Sequence, residues 1–125
     1  TNEYLTIIPA VSEVSYEEML TESSIMLTDY SGIQFDFAYM KKPVLYYQPK
    51  ELPPQYTEGV YQYDTMGFGP VIEEYEEIIS TLCRHIDSGC KMEEIYQKRV
   101  DDFFAYTDHA NCERVMNEIT KWRTK

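Results

Sequence analysis

The run Leu27-Thr28-Asp29-Tyr30-Ser31-Gly32-Ile33-Gln34-Phe35-Asp36 holds the residues best suited to chemistry. A short apolar segment ends, the chain turns, and a helical pattern begins within four residues. A helix start presents backbone N–H groups without intrahelical partners and the positive end of the helix dipole, and both favour a phosphate. Ser31 adds a hydroxyl, and Gly32 has no side chain to hold a phosphate away. Asp36, five residues after Ser31, is suited to accept hydrogen bonds from sugar or glycerol hydroxyls. Ser31, Gly32 and Asp36 are thus the candidate residues for holding a diphosphate and the hydroxyls of a group attached to it. A plain reading fits the same residues: Ser31 as an N-cap, Gly32 as a turn residue, Asp36 as a solvated acid.

Several elements must position this turn. Tyr4 to Ile8 is β-branched and closed by Pro9, which predicts a strand. Ser15 with Glu18 three residues on is a capping box for a helix over 16–23. Ile25 to Thr28 predicts a buried strand, and a helix follows Gly32, with Ile33, Phe37 and Met40 at helical spacing. Pro43 stops that helix, Lys41 and Lys42 suit its dipole, and Val44 to Tyr47 is the next strand. Strand, helix, strand, helix, strand with short connections predicts an α/β domain: a Rossmann-like parallel sheet with flanking helices. Residues 49–70 hold four of the six prolines and three of the five glycines, and predict a long ordered, tyrosine-rich loop. This loop either lines a cleft or packs as a flap on the domain's own helices.

The last third reads as three helices. Residues 73–87 carry Ile78, Ile79, Leu82, Cys83 and Ile86 as an apolar stripe, ended by Ser88-Gly89. Residues 91–104 carry Met92, Ile95, Tyr96, Val100, Phe103 and Phe104, and residues 110–122 carry Val115, Met116, Ile119 and Trp122. All three stripes are expected to be core. His85 and His109 read as exposed or capping residues, not as general bases.

The 125 residues suffice for one domain, 1–125, and the net charge of −11 argues against a nucleic-acid binder or a piece that docks alone on an anionic membrane. No apolar run is long enough to span a bilayer, and neither a signal-peptide pattern nor an initiator Met is present; the chain reads as a fragment of something longer. Cys83, Cys90 and Cys112 form no paired metal-ligand spacing and are expected to be reduced and structural, Cys83 as a buried small hydrophobe, which fits the cytoplasm. No metal site and no cofactor is expected.

Leu27 to Gly32 through Phe35-Asp36-Phe37, followed by Lys41-Lys42-Pro43-Val44, resembles the CDP-glycerol glycerophosphotransferases of teichoic acid synthesis. Their stretch reads T-D-Y-S-S-x-x-F-D-(F/Y), then K-(K/R)-P-(I/V). Gly59-Val60-Tyr61 through Gly69-Pro70-Val71 is similar to their G-x-Y-F-D…G-P-V segment, and Asp108 to Arg114 to their D-G-x-A-S-E-R segment. The resemblance covers about residues 12–120. Gly32 stands where the family usually has a second Ser, which keeps a backbone N–H contact and loses a hydroxyl; His109 stands where it usually has Gly.

The resemblance implies a GT-B architecture of two Rossmann-like domains, this chain being the C-terminal, donor-binding half. It implies transfer of glycerol phosphate from CDP-glycerol to the hydroxyl end of a lipid-linked polymer acceptor, releasing CMP. Ser31 and Gly32 would hold donor phosphate and Asp36 would bind the donor. The catalytic histidine and part of the donor site would lie in a missing N-terminal acceptor domain, so the chain alone would be inactive. The full protein would sit in the cytoplasm, peripheral at the inner face of the cell membrane. Two other readings remain. Ser31-Gly32-Ile33-Gln34 also resembles the S-G-G-I-Q-E-E stretch of UDP-N-acetylglucosamine 2-epimerases, or a UDP-sugar-binding glycosyltransferase domain. A non-catalytic interaction module with a degenerate site is the other.

Overall fold

The computed structural model describes residues 2–52 and 59–123. Nine elements follow in chain order: α1 (Tyr16–Glu22), β1 (Met26–Thr28), α2 (Gln34–Tyr39), β2 (Val44–Tyr47), α3 (Tyr63–Met66), β3 (Val71–Ile72), α4 (Tyr75–Asp87), α5 (Glu94–Phe103) and α6 (Asn111–Arg123). The strands form one sheet in the order β1-β2-β3, and both pairings are parallel. Met26 faces Val44, and Tyr46 faces Val71. The α/β class with a parallel sheet and flanking helices therefore holds.

Period-two alternation in β2 sorts the core into two layers. Val44 and Tyr46 face an aromatic layer with Phe37, Ala38, Phe68, Met92 and Val100. Leu45 faces an aliphatic layer with Ile72 and Ile78, and Tyr47 and Leu82 pack against it. So α2, α5 and the 61–68 segment cover one face, and α4 covers the other.

The capping box forms as the sequence predicts. Ser15 N donates to Glu18 Oε2 at 2.9 Å, and Glu18 N donates to Ser15 Oγ at 3.1 Å. The two lysines after α2 act differently from the helix-dipole role expected of them. Lys41 adopts φ 55°, beyond the helix end, and pairs with Asp101 at 2.7 Å. Lys42 Nζ donates to the carbonyls of Leu20, Thr21 and Ser23 at 2.8, 2.7 and 2.8 Å, capping the C-terminal end of α1 rather than α2.

Several expectations are overturned. Tyr4 to Ile8 is no strand: Asn2 Oδ1 accepts from the amides of Tyr4 and Leu5, each at 2.8 Å, and Asn2 N donates to Leu5 O. That local turn takes the backbone groups a ladder would need. The buried stripe of α4 is rotated toward Ile78, Thr81 and His85, with Leu82 partly covered, so Cys83 is exposed, as are Ile79 and Ile86. His85 is correspondingly buried, not exposed. The apolar residues of α6 are all exposed, Trp122 most at 78 %, so that stripe is not core among the described residues. In α5 only Val100 is buried, while Ile95 and Phe103 are exposed; Met92, just before the helix, is also buried.

The long loop carries the short helix α3 and leads directly into β3, neither of which pattern predicted. β3 has two residues and too little length for a period; it is fixed by Tyr46 N to Pro70 O at 3.0 Å and Gln48 N to Ile72 O at 2.9 Å. Gly69 sits so close to β2 that a Cβ there would lie 1.6 Å from Val44 O. Residues 53–58 of the loop lie outside the described residues.

Candidate functional site

β1 ends at Thr28, and Asp29 to Ile33 turn the chain into α2. This places Ser31 and Gly32 at the carboxyl edge of a parallel sheet, the edge where such sheets bind ligands. Gln34 N donates to Ser31 O at 3.4 Å and Phe35 N to Gly32 O at 3.2 Å, so the turn closes onto the helix through its carbonyls. Gln48 Nε2 donates to Asp29 O at 3.3 Å and ties the end of β2 to the same turn.

The capping residue of α2 is Ile33, with no side-chain cap bond, and not Ser31. Ser31 is half-buried, and its hydroxyl has no protein partner among the described residues. Gly32 is exposed, its φ is not in the left-handed region, and an added Cβ would meet nothing within 4 Å. The family's second Ser would fit there unstrained. Asp36 is exposed in the first turn of α2. At six residues α2 is short, so its dipole offers little field. Its first amides, Gln34 N and Phe35 N, are taken by the turn's carbonyls, and the Ser31 hydroxyl and the amides of Gly32 and Ile33 offer most of what a phosphate can use.

Beside the turn lies a polar network that the sequence pattern does not announce. Gln34 is 1 % exposed. Its Oε1 accepts from Tyr46 Oη in a short hydrogen bond, and its Nε2 donates to Tyr63 Oη at 3.2 Å. Tyr61 Oη stands 3.4 Å from both Gln34 Oε1 and Met66 O. Burial pushes the phenols of Tyr46 and Tyr61 above the ordinary tyrosine range, so both stay neutral and able to donate. The one signal in the sequence is the spacing of Gln34 with Phe37 and Ala38, i, i+3, i+4, which puts an amide on the buried face of α2. The 61–68 stretch behaves as a flap on the domain's own helices: Tyr61 meets Phe35 at 5.2 Å and Phe68 meets Phe103 at 5.4 Å between ring centroids.

The two histidines are not brought to this turn. His85 is on α4, across the sheet from α2; its Nε2 is buried, 3.8 Å from Glu93 Oε1. His109 is exposed with φ 61°, a backbone region that glycine occupies without strain and His tolerates. The Asp108–Arg114 segment is knitted locally. Asp108 Oδ1 accepts from Ala110 N at 3.1 Å, Arg114 pairs with Asp108, and the guanidinium lies 3.7 Å over the Tyr106 ring. The Arg114 hydrogen bond, with help from the Ala110 amide, holds the Asp108 carboxyl down at about 2. Among the described residues no cluster of three or more His, Cys, Asp or Glu is placed to hold a metal, and no helix is long and apolar enough to cross a membrane.

Residues 2–121 match the sequence profile described as CDP-Glycerol:Poly(glycerophosphate) glycerophosphotransferase. The chain is 44 % identical over 105 residues to the minor teichoic acid biosynthesis protein GgaB of Bacillus subtilis (strain 168), covering 84 % of this chain and 12 % of that protein. It is 29 % identical over 104 residues to a teichoic acid poly(glycerol phosphate) polymerase of Bacillus spizizenii, covering 82 % of this chain and 26 % of that protein. The chain thus spans about an eighth to a quarter of the length of these relatives. No solved structure gives a significant match. With the profile matched almost end to end and the Ser31-Gly32 turn placed at the carboxyl edge of the sheet, the chain belongs to the CDP-glycerol:poly(glycerophosphate) glycerophosphotransferase family.

Proposed function

We propose that this chain is the donor-binding domain, and the C-terminal half of a GT-B fold, in a larger transferase that moves glycerol phosphate from CDP-glycerol to a polymer. Family membership supports the reaction class. The observation that carries the site assignment is the position of Ser31 at the strand-to-helix turn with its hydroxyl free of capping duty.

In this reading the Ser31 hydroxyl and the Gly32 amide hold the diphosphate, and Asp36 orients the glycerol through its hydroxyls. The acceptor hydroxyl oxygen forms a bond to the glycerol-bearing phosphorus. The bond from that phosphorus to the bridging oxygen breaks, and CMP leaves with that oxygen. The acceptor proton passes to a base in an N-terminal acceptor domain, so this chain supplies positioning and no catalytic group of its own. The acceptor is a lipid-linked polymer, and the full-length protein works in the cytoplasm, peripheral at the inner face of the membrane.

Calorimetric titration of the full-length protein with CDP-glycerol, UDP-N-acetylglucosamine and CMP tests this. CDP-glycerol is expected to bind, and a Ser31→Ala/Asp36→Ala double variant to bind it at least about tenfold more weakly, the loss of one to two good hydrogen bonds. Preference for the UDP-sugar, or undiminished binding by the double variant, would overturn the assignment. Binding of none of the three would leave a non-catalytic interaction module.

A further inference from the structure

Gln34 occupies a place where a hydrophobe would be the simpler choice. It is 1 % exposed and lies in the aromatic layer beside Phe37 and Tyr46. A buried amide is costly unless both its ends are satisfied. Here they are satisfied by phenols from two separate parts of the chain: Tyr46 on β2, and Tyr61 and Tyr63 in the flap. The Tyr46 hydroxyl passes the network on, accepting from Phe68 N at 3.1 Å. The far side of the flap is anchored independently, because Arg99 on α5 donates to Gly67 O at 2.8 Å and Asp64 O at 3.0 Å.

Hydrophobic packing holds elements together without fixing their register; directional hydrogen bonds fix it. Gln34 is three residues after Ser31, and its backbone N–H already donates to Ser31 O. Tyr63, the acceptor of the Gln34 amide, also stands edge-on to Tyr30 at 5.6 Å, and Tyr30 directly precedes Ser31. The Ser31 turn is therefore gripped from both sides by one network: through Gln34 in the helix that follows and through Tyr30 in the strand exit that precedes.

We propose that Gln34 is a positioning residue that clamps the Tyr30–Gly32 turn to the 61–68 flap and thereby sets the donor phosphate site. This rests on the donor reading of Ser31 and Gly32 for its consequence in catalysis, while the clamp itself is a property of the fold. The tyrosine-rich flap then has a role beyond covering the core, since Tyr61 and Tyr63 hold the turn in place through their hydroxyls and rings.

Two variants test it in the full-length protein, Gln34→Leu, which removes the amide, and Tyr63→Phe, which removes one hydroxyl and keeps the ring. Two readouts are needed: hydrogen exchange of the amides of residues 30–35, and KM and kcat separately with CDP-glycerol. Gln34→Leu is expected to speed exchange at the turn about tenfold and raise KM about tenfold with kcat within about twofold; Tyr63→Phe is expected to do the same about threefold. Wild-type exchange at the turn in Tyr63→Phe and in a folded Gln34→Leu would overturn the clamp. So would a fall in global stability with exchange at the turn no faster than elsewhere and KM unchanged. If Gln34→Leu does not fold, Tyr63→Phe decides alone. If the wild-type protein does not use CDP-glycerol, the donor reading falls and the exchange comparison still decides the clamp.

Discussion

Replacing Lys42 by Met should release α1 from the domain. The ammonium has three N–H donors, and each meets one carbonyl, of Leu20, Thr21 and Ser23, at 2.7 to 2.8 Å. These carbonyls lie at the C-terminal end of α1, where a helix leaves acceptors unpaired and carries partial negative charge. A hydrogen bond to a charged group contributes about 1.5–3 kcal/mol, so three would sum naively to well above ~4 kcal/mol. Two of the three are exposed, and water replaces them at little loss. About 2–3 kcal/mol is the reasonable expectation. No residue of α1 is buried, and Leu20 is only partly covered by the aromatic layer, so little else holds this helix down. Urea unfolding should show a lowered midpoint for Lys42→Met, and hydrogen exchange should show fast amides confined to residues 16–23. Lys42→Arg should rescue only partly, because a planar fork does not aim three donors from one point. An unchanged midpoint with wild-type exchange in α1 would refute the clasp and make Lys42 a surface lysine.

Other outcomes are expected. Gly69→Ala should destabilise by about 3 kcal/mol or more, since its Cβ would sit 1.6 Å from Val44 O and the start of β2 must move; soluble yield and the urea midpoint report it. Gly32→Ser should leave stability within about 0.5 kcal/mol in urea unfolding, because a Cβ there meets nothing, and titration shows whether the added hydroxyl strengthens donor binding. The Asp108 carboxyl is depressed to about 2 in the fold from an ordinary 3.8. Its support for the start of α6 is therefore complete above about pH 4 and lost as pH falls toward 2. Exchange of the α6 amides should accelerate across that window, and Asp108→Asn should remove the dependence.

Local signals survived into the structure where short-range chemistry decides. The Ser15 capping box, the strand before Asp29 and the Val44 to Tyr47 strand all formed, although the strand before Asp29, expected to be buried, has no buried residue and an exposed Leu27. Periodicity marked α4 and α6 as helices but not which face is covered. Cys83 and His85, two residues apart, point to opposite sides of α4, and nothing described covers Val115 or Trp122. Tyr4 to Ile8 has strand composition, and Asn2 diverts its amides. At the site, Ser31 and Gly32 fell at a strand-to-helix turn and Asp36 in the first turn of α2, although Ile33 took the cap. The Gln34 network was illegible because its partners are 12, 27 and 29 residues away, and only the fold brings them together.

Among the described residues β1 and β3 are the outer strands, three and two residues long, with Leu27 half-exposed. Open strand edges template association between copies, and brevity is one defence against it. Charge is the other: at −11, copies of this chain repel one another over a distance that salt sets, about 8 Å at physiological ionic strength. Colloidal behaviour should therefore run opposite to that of a protein held apart by hydration alone. Added salt should bring these edges within reach of each other, and the chain should be most soluble when its own repulsion is least screened.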